Sequence, residues 1–88
     1  MEYEVIHNAG IQRFEMQVEG YVAYLEYELI EHYMDITHTW VPHPVSGRRI
    51  ASALTEAALQ YAVTNNLRVI PSCAYVDAYM KHRAAVSK

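Results

Sequence analysis

The residues best suited to chemistry cluster in the second half of the chain. Cys73 is the only cysteine in the 88 residues. It follows Val69-Ile70-Pro71-Ser72, a strand-like run that leads into a helical pattern. A thiol at a helix start meets the positive end of the helix dipole, which favours the reactive thiolate. Two other readings stand beside that one: a thiol that only lines a site, and a small buried core residue. His38 is polar within the apolar and β-branched run Ile36 to Val41 and is a candidate general base, against the alternative of a histidine packed across strands. Ser46-Gly47-Arg48-Arg49 leads into a helical pattern that begins at Ile50-Ala51-Ser52. A helix start exposes unpaired N–H groups and binds phosphate readily, and Gly47 lets a backbone come close. Arg48 and Arg49 add positive charge but oppose the dipole, so a bound anion would relieve them; two solvated arginines are the alternative. His7, His32, His43 and His82 are scattered without i, i+4 spacing, and one cysteine does not make a zinc site, so no metal is expected.

The elements that must position these residues follow from hydrophobic period. Val5-Ile6-His7 is a short extended start that stops at the turn signal Asn8-Ala9-Gly10. Phe14, Met16 and Val18 alternate with Glu15 and Gln17, as in a half-buried strand over 13–18. Glu19-Gly20 predicts a hairpin into a strand over 21–30, where Ala23, Leu25, Tyr27 and Leu29 share a face. Helical spacing of Tyr21, Tyr24, Leu25 and Glu28 is the competing reading there. A fourth strand is expected over 34–41, ended by Pro42 and Pro44, which leave backbone groups of Thr39, Trp40 and Val41 to face either a ligand or a plain strand end. Ile50, Ala53, Leu54, Ala57, Ala58, Tyr61 and Ala62 recur at three and four, a helix that closes near Asn65-Asn66. Leu67 to Ile70 reads as a strand, and Ser72 as the cap of a last helix in which Asp77 and Lys81 can pair. Strand, helix, strand is a βαβ unit with parallel strands, and the front half adds antiparallel hairpins. The expected fold class is α+β: a mixed, mostly antiparallel sheet of about five strands, a βαβ unit and a C-terminal helix.

Length and charge bound the possibilities. Eighty-eight residues make one domain, 1–88, with enough apolar material for one core at 52% hydrophobic. The net charge of −3 is unevenly spread: residues 1–44 carry eight acids and one base, Arg13, whereas residues 45–88 carry two acids and six bases. That division points to an anion site in the back half, while the overall acidity argues against general nucleic-acid binding. No apolar run reaches the ~18–20 residues of a membrane span, and the acidic start lacks the pattern of a secretory signal. A lone cysteine fits a reducing cytoplasm. A monomer is expected.

Three segments together, His38-Thr39-Trp40-Val41-Pro42, Gly47-Arg48-Arg49-Ile50-Ala51-Ser52-Ala53-Leu54 and Asn66-Leu67-Arg68-Val69-Ile70-Pro71-Ser72-Cys73-Ala74-Tyr75-Val76, resemble the small single-domain members of the GCN5-related N-acetyltransferase superfamily. The resemblance extends back through Arg13-Phe14 and the strand of Tyr27. It implies acetyl-coenzyme A as cofactor and an amine, on a small molecule or a protein, as acceptor. It also implies that backbone groups of Thr39, Trp40 and Val41 pair with the pantetheine arm, and that Ser46, Gly47, Arg48, Arg49, Ile50, Ala51 and Ser52 cradle the pyrophosphate. Family members place a cysteine at the position of Cys73, so the resemblance implies a nucleophile there, or direct attack of the amine on the thioester with Cys73 lining the site; Tyr75 could then protonate the leaving thiolate, or simply pack. Ser46 stands where the family pattern has Arg or Gln, and Arg49 where it has a second glycine. An acyl-CoA or anion-binding module without catalysis, and an interaction domain using its sheet, are the competing functional classes.

Overall fold

Alternating side chains fold the front half into strands, in a computed structural model that describes residues 4–86. The elements in chain order are β1 (Ile6–Asn8), a short 3-10 turn (Ala9–Ile11), β2 (Arg13–Val18), β3 (Tyr21–Ile30), β4 (Tyr33–Trp40), a second 3-10 turn (His43–Val45), α1 (Ile50–Thr64), β5 (Arg68–Pro71) and α2 (Ala74–Val86). The strands lie in the order β1-β2-β3-β4-β5. The first four are antiparallel neighbours, and β5 runs parallel to β4 because α1 carries the chain back between them. The strand reading of 21–30 therefore holds over the helical one, and the α+β class is the observed one. The fourth strand starts and ends one residue earlier than its pattern indicated.

Strand alternation gives the sheet a core face and an open face. Phe14, Met16 and Val18 of β2, Ala23, Leu25 and Tyr27 of β3, and Met34 and Ile36 of β4 are all buried on the core face. They meet Ile50, Leu54, Ala58, Leu59 and Ala62 of α1, and Val76 of α2. The helices also touch each other: Glu56 of α1 accepts a hydrogen bond from the Tyr79 hydroxyl and pairs with Arg83 of α2 at 3.4 Å. Thr55 is the buried polar side chain of α1, and its hydroxyl returns to the Ala51 carbonyl at 2.8 Å, which satisfies it within its own helix.

One irregularity decides which residues reach the site. Glu26 pairs with His38, but the next residue, Tyr27, pairs with Ile36. Thr37 is thus the extra residue of a β-bulge. Before it, Met34 and Ile36 face the core; after it, Thr39, opposite buried Leu25, takes the core face, while His38 moves to the open face.

The N-terminal edge is held by an aromatic cluster. His7 of β1 stacks on Phe14 with ring centres 4.1 Å apart, meets Tyr61 of α1 edge-on at 4.6 Å, and its Nε2 lies 2.5 Å from the Tyr27 hydroxyl. Burial holds the His7 imidazole below its ordinary value. The folded chain therefore takes up this proton less readily than the unfolded chain, and stability is full above about pH 6.5 and falls as the pH drops through that value. Urea unfolding at pH 7.5 and 5.5 should show a lower midpoint at the acid pH, and His7→Phe should reduce that difference. An unchanged difference in His7→Phe would assign the effect to another group.

Candidate functional site

The site is built where β5 stops following β4. β5 pairs only with Tyr33 to Ile36, and one further hydrogen bond, from the Cys73 N–H to the Ile36 carbonyl at 2.9 Å, carries the contact past Pro71. Beyond that point Thr39 and Trp40 keep their β3 partners, Leu25 and Tyr24, with no β5 residue opposite. The bulge at Thr37 lies at this divergence. The second half of β4 thus has strand pairing on one side alone, and Trp40 is 48% exposed.

Cys73 sits at the mouth of the divergence. It immediately precedes α2, and its carbonyl accepts the first helical hydrogen bond, from Asp77 at 3.0 Å, so it occupies the cap position expected for Ser72. Its Sγ lies 3.6 Å from the Thr39 hydroxyl. Burial pushes the thiol up, but N–H groups at the start of α2, from Val76 and Tyr75, and the Thr39 hydroxyl and backbone together pull it below its ordinary value. The side chain is half-buried, so the sulfur is both partly desolvated and reachable.

The second half of the site is the turn into α1. The helical ladder begins with Ala53 N–H to the Arg49 carbonyl at 3.1 Å. The amides of Ile50, Ala51 and Ser52 therefore have no acceptor within the helix. Val45, 1% exposed, anchors the preceding loop in the core, and Ser46 closes it with backbone and hydroxyl bonds to the His43 carbonyl at 3.1 and 2.8 Å. Gly47 has φ +78°, and a Cβ there would meet nothing within 4 Å, so glycine is needed for its conformation, not for room. Arg49 has φ +61° without being glycine. A left-handed Arg costs about 1 kcal/mol or more relative to an unstrained residue. Arg48 is held by Glu19 of the β2–β3 turn, Nη1 to Oε2 at 2.6 Å and Nη2 to Oε1 at 3.4 Å. The guanidinium holds the Glu19 carboxyl below the usual range.

Several residues singled out from sequence lie elsewhere. His38 is exposed on the open face, with its ring 5.9 Å from Tyr24. That face also holds Arg13, stacked over Tyr24 at 3.9 Å and paired with Glu26 at 2.8 Å. The structure therefore does not bring His38 to Cys73, which faces Thr39 on the helix side. Tyr75, on the first turn of α2, is 41% exposed with its ring 6.0 Å from Tyr79. Asp77 and Lys81 pair at 3.1 Å as their spacing indicated. A cavity of about 410 Å³ lies between the C-terminal half of α1, β5 and α2, with Leu59, Ala62, Val69 and Met80 among its walls. It is mostly apolar, with Arg83 also on its wall, and lies at the opposite end of α1 from the arginine loop. Among the described residues no group of three His, Cys, Asp or Glu side chains converges as metal ligands, and no helix is long and apolar enough to cross a membrane. Two participants were not singled out in the sequence: Glu19, whose only signal was a Glu-Gly turn, and the Thr39 side chain, read there for its backbone alone.

The family model for GCN5-related N-acetyl-transferase matches residues 13–88. Among curated proteins, the chain is 33% identical over 81 residues to Protein NATD1 of Gallus gallus, covering 89% of this chain and 74% of that one. It is 34% identical over 80 residues to Protein NATD1 of Mus musculus, covering 88% and 73%. With Protein NATD1 of Homo sapiens it shares 34% over 80 residues, covering 88% and 71%.

Proposed function

The chain belongs to the GCN5-related N-acetyltransferase family, and we propose that it is an acetyltransferase that takes acetyl from acetyl-coenzyme A and passes it to an amine through Cys73. The observation that carries this reading is the divergence of β4 from β5. It leaves the Thr39–Trp40 backbone without a β5 partner, directly before the arginine loop and with a lowered thiol at its mouth. An extended pantetheine arm has amides that can pair with such a strand, as a peptide does in strand addition. The Ile50, Ala51 and Ser52 amides, with Arg48 and Arg49, suit its pyrophosphate.

In the first half-reaction the Cys73 thiolate attacks the thioester carbon. A new C–S bond to Cys73 forms, the bond from the acetyl carbon to coenzyme A breaks, and the electron pair leaves with the coenzyme thiolate. The proton that Cys73 gave up on ionising is regained by that leaving thiolate, from solvent or the exposed Tyr75. In the second half-reaction an unprotonated amine attacks acetyl-Cys73, a C–N bond forms, the C–S bond breaks, and the thiolate is restored as the ammonium loses its proton to water. The Thr39 hydroxyl, 3.6 Å from Sγ, supports the thiolate before it attacks and again when it is released. The helix start and Thr39 favour the thiolate, and the thiol proton goes to solvent. The acceptor is assigned only as an amine; the acidic surplus of residues 1–44 favours one that arrives as a cation and gives its ammonium proton to solvent before it attacks.

The test is a titration with acetyl-coenzyme A followed by amide NMR. Shifts are expected in two groups, at Thr39 to Val41 and at Gly47 to Ser52. Shifts centred on the cavity between α1 and α2, or none at millimolar ligand, would overturn the reading.

A further inference from the structure

We propose that Glu19 is an internal counter-ion that competes with a bound phosphate group for Arg48, and so sets how tightly the α1 loop holds its ligand. The inference rests on the phosphate role just argued for that loop. Glu19 and Arg48 are 29 positions apart in sequence, and the fold brings them together through the β2–β3 turn. That turn has two central residues, Glu19 at φ +52° and Gly20 at φ +85°, between the paired Val18 and Tyr21. Both positive angles are those of a type I′ hairpin, a tight and defined connection. Glutamate is an uncommon choice for a left-handed position, where Asn or Gly is usual.

The contact uses the geometry that a phosphate would use. Both carboxylate oxygens of Glu19 face the two terminal nitrogens of Arg48, at 2.6 and 3.4 Å. The fork of a guanidinium is the part that grips a phosphate, so one Arg48 cannot give the same nitrogens fully to both. The Arg48 side chain is 30% exposed and that of Glu19 60%. Glu19 is therefore the partner that swings into water at little cost, while Arg48 stays at the loop. The guanidinium holds the Glu19 carboxyl below the usual carboxylate range, so the competitor is charged at neutral pH. A ligand phosphate must displace the carboxylate or sit beside its charge, and either lowers affinity.

Calorimetric titration with coenzyme A and, separately, inorganic pyrophosphate tests this on the wild-type chain, Glu19→Gln, Arg48→Gln and the double variant. Glu19→Gln should bind coenzyme A about two- to fivefold more tightly at low salt, the range of an exposed ion pair, and the gain should shrink near 0.5 M salt, where the Debye length is about 4–5 Å. The gain should vanish when Arg48 is also replaced. The Arg48 Nε–H resonance should move on adding pyrophosphate to the wild type. Weaker binding in Glu19→Gln would make Glu19 a residue that presents Arg48 to the ligand, and would overturn the competition. Unchanged affinity with an unmoved Arg48 resonance would do the same while leaving the loop's phosphate role intact. Failure of both wild type and Glu19→Gln to bind either ligand would remove that role and this inference together.

Discussion

Cys73→Ser is expected to abolish the acetyl-enzyme and to lower acetyl transfer by at least about a hundredfold, with acetyl-coenzyme A affinity changed less than about twofold. Serine is the informative replacement because it separates structure from chemistry. Cys73 stands at the cap of α2, and serine is a better helix cap than cysteine, so the helix start should be kept. What serine cannot do is ionise. The N–H groups of Val76 and Tyr75 and the Thr39 hydroxyl bring a thiol below its ordinary value. The same donors leave a hydroxyl protonated, because it starts several units higher. Among the described residues no His, Asp or Glu is hydrogen-bonded to Sγ to take the proton instead, since His38 is across the sheet. Acid quenching after mixing with labelled acetyl-coenzyme A should trap acetyl on the Cys73 peptide of the wild type and none on the variant. The wild-type acylation rate should climb with pH and level off below pH 9.0, the value of an unperturbed thiol. Full turnover by Cys73→Ser without an adduct would mean that the amine attacks the thioester directly and that Cys73 lines the site.

Most of the scaffold was legible because its periods are clean. Phe14, Met16 and Val18 alternate without interruption, and Ile50 to Ala62 keep helical spacing, so both elements lie where their patterns put them. The site was less legible for a specific reason. In Ile36-Thr37-His38-Thr39 every residue suits a strand, and nothing local marks Thr37 as an extra residue. A strict period of two places His38 on the face of Met34 and Ile36, beside a core-side ligand. The bulge inverts the parity, so Thr39 takes that face and His38 joins Tyr24, Glu26 and Arg13. The cap of α2 moved for a comparable reason: the Ile36 carbonyl holds the Cys73 N–H, which extends the strand contact past Pro71 and starts the helix after Cys73, not Ser72. Glu19 was illegible in kind, because its pairing with Arg48 exists only in three dimensions. The charge division also acquires a local meaning. Part of the acidic front half is matched to the basic residues it meets, Glu26 to Arg13 and Glu19 to Arg48.

The largest effect on stability is expected at Leu25. Its side chain is fully buried in β3, between Phe14 of β2 and Thr39 of β4, under the face that α1 covers. Leu25→Ala removes three carbons from a close-packed layer and leaves a cavity that strand neighbours cannot collapse into. A loss of about 2–5 kcal/mol follows. A chain of this size has a total stability of about 4–13 kcal/mol, so the variant should sit near the unfolding threshold. Its urea midpoint should fall by roughly 1–3 M. Leu29 is the control: it lies on the same strand with the same parity but is 43% exposed, and Leu29→Ala should cost under about 1 kcal/mol. Equal losses at the two positions would contradict the described burial. Leu25 also supports the chemistry, because it is the cross-strand partner of Thr39, whose hydroxyl meets Sγ. At a temperature where Leu25→Ala is still folded, its rate of acetyl-Cys73 formation should drop more than its acetyl-coenzyme A affinity. The loosened side chain acts on the Thr39–Cys73 contact, whereas the arginine loop is anchored separately, through Val45.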